Sequence, residues 1–309
     1  MKKKKIIIDT DIGDEIDDAL ALYFAMKQGM DIVGVTTVFK NTDERARIAK
    51  RLLSLYGNGY EKVPIFAGHG TPIAEEKCDY PHSCHFHGEL ESNEYAPDGD
   101  SEAAVDFLIE SCKKFGEELV IVAIGPFTNI AKAIEKDAEA MNMSGKVVIM
   151  GGAYYRQYAD WNVMCDVEAA DIMFKGLNNL ECIGADITHR LLLSQSEHQT
   201  LIDCKNDAAV IEIAELIRLW SVVNPDRCPT LHDPLAVYYA VYPEICEVEK
   251  QRIAVIVDGL ARGLTLNIDA YNKAFMNPVY RNVSKECRAT VARDIDAIGF
   301  INLFIKAFS

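Results

Sequence analysis

Six acids fall within ten residues near the start of the chain, in the string Asp9-Thr10-Asp11-Ile12-Gly13-Asp14-Glu15-Ile16-Asp17-Asp18. Carboxylates this close repel one another unless a cation or protons neutralise them. Hard oxygen donors of this kind favour Ca²⁺ or Mg²⁺ over zinc. A plainer explanation is a helix N-terminus decorated with acids, which the helix dipole favours. That accounts for Asp14 and Glu15, but poorly for Asp9 and Asp11, which precede the turn at Gly13. The pattern argues against a calcium-binding helix–loop–helix, because its glycine and closing glutamate have no counterpart at the required positions. Paired aspartates after a first strand also suit Mg²⁺-dependent phosphate chemistry. Neither a P-loop nor a Lys/Arg cluster stands near the motif to cradle a phosphate.

The elements that must position these acids read as alternating strands and helices. Residues 5–8, 32–37, 63–66, 119–124, 147–150 and 180–183 are short β-branched or apolar runs that predict strands. Residues 17–28, 42–55, 101–114, 127–136 and 167–174 carry helical periodicity, with Thr42 as the expected N-cap of the second helix. Alternation of this kind implies βαβ units and a mostly parallel sheet, and such sheets bind ligands at the carboxyl ends of their strands. The acid string begins at the carboxyl end of the first strand. The last third differs: helices over 208–220 and 234–239, paired strands over 252–257 and 264–267, and a closing helix over 295–307. No repeat or linker divides the chain, so one domain over 1–309 is expected. Residues 75–100 carry little periodicity and include His82, Cys84, His85 and His87; a stretch like this in an α/β domain is often a functional loop.

Composition removes several function classes. The chain has 309 residues, 49% hydrophobic and 26% charged, which is globular rather than disordered. Lys+Arg 32 against Asp+Glu 47 gives a net charge of −15, which repels phosphate backbones and argues against a nucleic-acid partner. Nine cysteines are scattered without a CxxC pair, so reduced thiols are expected rather than a disulfide framework or a zinc site. The apolar run behind Lys2–Lys5 is far short of the roughly 7–15 residues of a signal-peptide core. No stretch approaches the roughly 20 apolar residues of a membrane span. A soluble, cytoplasmic protein is the expectation.

The acid string resembles the N-terminal signature of the inosine-uridine-preferring nucleoside hydrolase family, DTDxGxDDAxAL, with two extra residues between the glycine and the Asp17-Asp18 pair. Further segments resemble that family in order. They are Thr36-Thr37-Val38 with Asn41, Ile124-Gly125-Pro126-Phe127-Thr128-Asn129-Ile130-Ala131, and Met150-Gly151-Gly152-Ala153. Asp160-Trp161-Asn162 with Asp166-Val167-Glu168-Ala169-Ala170, Asp186-Ile187-Thr188-His189 and Leu231-His232-Asp233-Pro234 follow. Each string is short, but their shared order along nearly the whole chain is specific.

The resemblance implies a Rossmann-like open sheet flanked by helices and Ca²⁺-dependent hydrolysis of a ribonucleoside N-glycosidic bond. It implies Asp11, Asp18, Asp233 and the Ile124 carbonyl as metal ligands. Asp11 then serves as general base on a cation-bound water, and His232 stands near the leaving base as its proton donor. Asp17, Asn41 and Asn162 are implied as ribose contacts, Asp160 stands where the family has a glutamate for the 5′-hydroxyl, and Trp161 replaces a phenylalanine. His87 resembles a loop histidine at the substrate. A homodimer or homotetramer is implied by the resemblance alone. The segment 153–159 is shorter than in better-known members, which leaves a modified ribose or another small sugar open as substrate. Two other readings stay open at this stage: a nucleoside- or sugar-binding sensor on the same fold, and a metal-dependent phosphatase.

Overall fold

A computed structural model describes residues 3–78, 95–268 and 288–308. His82, Cys84, His85 and His87 lie outside the described residues. Nine strands form one sheet in the order β3-β2-β1-β4-β5-β6-β9-β7-β8. These are β1 (Lys5–Thr10), β2 (Asp31–Thr37), β3 (Ile65–Ala67), β4 (Leu119–Ala123), β5 (Lys146–Met150), β6 (Leu180–Ile183), β7 (Cys246–Val255), β8 (Thr265–Asn267) and β9 (Arg288–Ile295). β1 to β6 pair in parallel, and β9 is parallel to β6. β7 runs antiparallel to both β9 and β8.

The central strands β1, β4 and β5 are mainly apolar because both faces are covered. In β1, Ile6 and Ile8 join one hydrophobic cluster and Ile7 the other, as the period of two in a strand requires. On the Ile6/Ile8 side lie α1 (Asp17–Lys27), α2 (Thr42–Tyr56), α8 (Gln195–Asp203), α9 (Ala208–Val223), α10 (His232–Val241) and the closing helix Ala297–Phe308. On the other lie α3 (Ser101–Phe115), α4 (Thr128–Met141) and α6 (Val167–Gly176). Short helices α5 (Trp161–Cys165) and α7 (Ala185–Thr188) follow β5 and β6.

The chain leaves β1 toward β2 and β3 on one side and returns through β4, β5 and β6 on the other. The crevice at the carboxyl ends of β1 and β4 is therefore the topological switch point, where open α/β sheets bind their ligands. The expected closing helix over 295–307 begins too early: Ile295 ends β9, a strand that periodicity misses. The N-cap of α2 is Asn41 rather than Thr42. None of the described helices is long and apolar enough to cross a membrane. The cysteines among the described residues are free thiols.

Candidate active site

Beyond β1 the chain turns at Gly13, whose φ of 122° lies in the region glycine alone adopts readily. Thr10 closes the loop. Its hydroxyl donates to the Asp18 carboxylate and accepts the Ile12 amide at 3.1 Å. Arg45 braces the loop from α2. Its wholly buried guanidinium donates to the carbonyls of Asp11, Ile12 (3.1 Å) and Phe39 (2.7 Å) and to the Asp14 carboxylate (2.7 Å). Arg45→Met leaves these acceptors buried without a donor, so a loss of about 3–5 kcal/mol is expected in urea unfolding. An unchanged unfolding midpoint would show that Arg45 does not hold the loop.

α1 packs on α10, and that packing sets Asp17 and Asp18, in the first turn of one helix, against Asp233, in the first turn of the other. One carboxylate oxygen from each lies within 4.8 Å of those from the other two, and all three residues are buried. The Asp233 amide also hydrogen-bonds the Asp17 carboxylate. Burial, and then neighbouring carboxylates, push the acids toward protonation. Asp17 rises to about 7, with Glu15 the largest neighbour. Asp18 and Asp233 rise well above the usual carboxylate range, with Asp11 and Asp17 respectively as their largest neighbours. Asp11 also rises to about 7 through burial, against the opposing charge of Arg45. It stands outside the close group of three, although its charge acts on each of them.

The turn after β4 completes this end of the crevice. A Cβ on Gly125 would lie 2.8 Å from the Asp11 amide nitrogen, so only glycine lets the two loops approach. The Asn162 side-chain amide donates to the carbonyls of Ile124 (2.8 Å) and Met150 (3.0 Å), linking the turns after β4 and β5. Beneath them, the wholly buried Asp9 accepts from Thr36 (2.5 Å) and from Asn129 (2.7 Å). Its second oxygen has no partner among the described residues, and burial raises it to about 7.

A pocket of about 730 Å³ opens over these groups, lined by Asp11, Asp17, Asp18, Ile124, Asp160, Trp161, Asn162, His232 and Asp233. Asp160 caps α5 by accepting the Val163 amide at 3.3 Å, and burial raises it to about 6. Trp161 is 48% exposed, so it belongs to the pocket lining rather than the core. His232 shares a 2.6 Å hydrogen bond between its Nδ1 and the Thr188 hydroxyl. Burial, with the nearby His189 and Arg227, pushes it down to about 3. These surroundings favour the neutral ring, whereas a histidine of ordinary pKa was expected to give up a proton. Asn41 does not reach the pocket. It is exposed, and its amide donates to Glu44 on its own helix at 3.2 Å, after a turn in which Phe39 and Lys40 both take positive φ.

Sequence reasoning passed over four residues. His189 lines the pocket between Tyr158, stacked on it at 5.6 Å, and His232, edge-on at 5.2 Å. Trp220 and Arg227 form part of the same lining. Arg45 did leave a trace: it shares the buried stripe of α2 with Ile48, Ala49 and Leu52, an unusual place for a charge.

An open α/β sheet with a buried carboxylate cluster at its switch point defines a ligand-binding α/β protein with a candidate cation site. The model of the inosine-uridine preferring nucleoside hydrolase family matches residues 6–302, and the chain belongs to that family. It is 30% identical to uridine nucleosidase 1 of Arabidopsis thaliana, over 86% of this chain and 82% of that one. A solved plant nucleoside hydrolase superposes with a TM-score of 0.83 at 27% identity, covering 99% of this chain and 98% of that one. The purine-preferring ribonucleoside hydrolase of Gardnerella vaginalis superposes with a TM-score of 0.77 at 29% identity, with the same coverage. The protein is thus a hydrolase of N-glycosyl compounds that cleaves ribonucleosides, and its buried acid cluster is consistent with a metal site.

Proposed function

We propose that the chain hydrolyses the N-glycosidic bond of a ribonucleoside in a Ca²⁺-dependent reaction, releasing the free base and ribose. The observation that carries this reading is the buried group Asp17, Asp18 and Asp233 in the crevice beside Asp11. Its donor set fits a hard cation: carboxylates alone, too buried and too close to stay ionised together without a positive partner. Asp18 and Asp233 would hold the ion with the Ile124 carbonyl, and Asp17 beside them would take a ribose hydroxyl. When bound, a calcium ion attracts vicinal hydroxyls and makes water more acidic.

The remaining steps belong to this chain's own residues. Asp11, with a pKa raised toward neutrality, suits the base that takes a proton from the attacking water. The water oxygen bonds to C1′ while the C1′–N bond breaks, and the electron pair of that bond leaves on the base. An oxocarbenium-like transition state is expected, as in other glycoside hydrolysis. Asp160 and the exposed face of Trp161 bound the sugar side, and Asn162 fixes the Ile124 carbonyl. His232, neutral in these surroundings, offers the departing base one hydrogen bond rather than a charge. A phosphatase fits poorly: the described pocket lining presents seven carboxylates, from Asp11, Asp14, Glu15, Asp17, Asp18, Asp160 and Asp233, which would repel a phosphate ester.

The test is the melting temperature with and without Ca²⁺ as a function of pH. The folded, metal-free protein holds carboxylate protons more tightly than the unfolded chain does. Its stability therefore falls as pH rises from about 4 through about 7. Calcium must displace those protons, so its apparent affinity rises over the same window. The expected result is a calcium-induced increase that is small at pH 5.5 and about 5 °C or more at pH 8 with calcium at about 100 times its dissociation constant. An increase absent at every pH would remove calcium from the reading.

A further inference from the structure

A second cavity, of about 530 Å³, opens at the other end of the sheet from the acid cluster. It lies between the first residues of β2, the segment that leads into β3, and one face of α3. Ile32 and Val33, near the start of β2, form part of its wall, whereas the acid crevice stands beyond the carboxyl ends of the parallel strands. From α3 come Phe107, Ser111, Lys114 and Phe115, which spacings of three and four residues put on one helix face. The two pockets share no lining residue.

The apolar wall is held in place. The Phe107 ring stacks on Phe66 at 4.7 Å. It also lies so close to β2 that a Cβ on Gly34 would stand 2.2 Å from it. Polar groups gather at the same cavity. Lys62 and Lys114 are exposed, and neither has an ion-pair partner among the described residues. The Lys114 ammonium lies 4.8 Å from the centre of the Phe115 ring, which joins a charge to the apolar wall. Ser111 is 4% exposed, yet its hydroxyl makes no hydrogen bond among the described residues. A buried hydroxyl without a partner costs free energy that a bound acceptor would recover. The one acid of the lining, Glu110, is 71% exposed and pairs with Lys113 at 3.3 Å. Two ammonium groups against one carboxylate give this cavity a positive balance in a chain whose net charge is −15.

We propose that this cavity is a second binding site, for a small organic anion with an aromatic or other apolar body. The body lies against Phe107 and Phe115, and a carboxylate or phosphate head takes charge-assisted hydrogen bonds from Lys62 and Lys114 and one from the Ser111 hydroxyl. The volume is that of a small-molecule site, which runs from about 300 to 1,000 Å³ with mostly apolar walls and a few placed polar groups. The seven carboxylates of the active-site pocket repel the same anion, so the two sites take ligands of opposite character. The assignment does not depend on the reaction proposed above.

The experiment is calorimetric titration at neutral pH with 2-naphthoate, 1-naphthyl phosphate, the neutral 2-naphthamide and inorganic phosphate. The proteins are the parent, the double variant Lys62→Gln/Lys114→Gln, and Ser111→Ala. Both naphthyl anions are expected to bind the parent, with naphthamide and inorganic phosphate weaker by about tenfold or more, because each lacks either the charge or the body. The double variant should lose about tenfold or more on both anions, and Ser111→Ala about three- to tenfold. Tighter binding of the phosphate identifies a phosphate head, and tighter binding of the naphthoate a carboxylate. The substituted lysines are exposed and none of the three residues lines the acid crevice, so unfolding midpoints and ribonucleoside turnover should match the parent. Naphthamide binding as tightly as naphthoate, anion binding unchanged in the double variant, or no binding of either anion by the parent would each overturn the site.

Discussion

Asp233→Asn is expected to lower calcium affinity by at least about 100-fold while making the metal-free protein more stable at pH 8. The first effect follows because loss of even a supporting contact to a metal ligand typically costs about 10–100-fold, and Asp233 belongs to the closest carboxylate group. The second follows from the sign of its shift. Asp233 is held well above the ordinary carboxylate pKa by burial and by Asp17 and Asp18. At pH 8 the metal-free fold must therefore either keep a buried charge or hold a proton that the unfolded chain gives up freely, and both cost stability. An amide removes that charge at nearly constant shape, so a rise in melting temperature of about 2 °C or more is expected. Calcium titration by calorimetry and thermal unfolding at pH 8 read the two effects separately. A fall in metal-free stability would mean that Asp233 is a structural acid rather than a binding one.

Asp11→Asn should reduce turnover by about 10²–10⁴, the usual contribution of a positioned general base. Calcium affinity should fall less than in Asp233→Asn, because Asp11 stands beside the close group rather than within it. The variant preserves shape against Gly125, whose missing side chain leaves room for the Asp11 loop. Single-turnover kinetics at saturating calcium separates the two roles. Turnover within tenfold of the parent would reject Asp11 as the base. A calcium loss equal to that of Asp233→Asn would make it chiefly a ligand.

What could be read from the sequence follows the range of the interactions involved. The acid string is local: its members sit within ten residues at the end of a strand, and their mutual repulsion can be argued before any folding. Strands β1, β4 and β5 are legible because burial on both faces makes them continuously apolar. β9 was missed because its burial alternates irregularly and its partners, β6 and β7, are distant in the chain. Asp233 lies over two hundred residues from the acids it joins. Nothing local marks it, and only the ordered resemblance of Leu231-His232-Asp233-Pro234 pointed there.

The same distinction explains the residues that only the fold brings to the pocket or leaves outside its lining. Asn41 is assigned from its neighbours in a motif; its amide donates to Glu44, and it is not among the residues lining the pocket. Trp220, Arg227 and Glu15 form a cluster only because the end of α9 and the segment after it meet the acidic loop, and no spacing announces that contact. His232 lines the pocket, and its pKa is lowered by burial and by neighbours from other segments, which its own sequence context does not announce.

The central claim is cation-dependent cleavage of a ribonucleoside at its N-glycosidic bond. Its most direct test is reducing-sugar release from a panel of ribonucleosides and 2′-deoxyribonucleosides, in EDTA and after added Ca²⁺. The predicted result is release from ribonucleosides, lost in chelator, restored by calcium and much weaker for the 2′-deoxy series, which lacks one of the vicinal hydroxyls. Undiminished release in EDTA, or equal release from both series, would contradict the account.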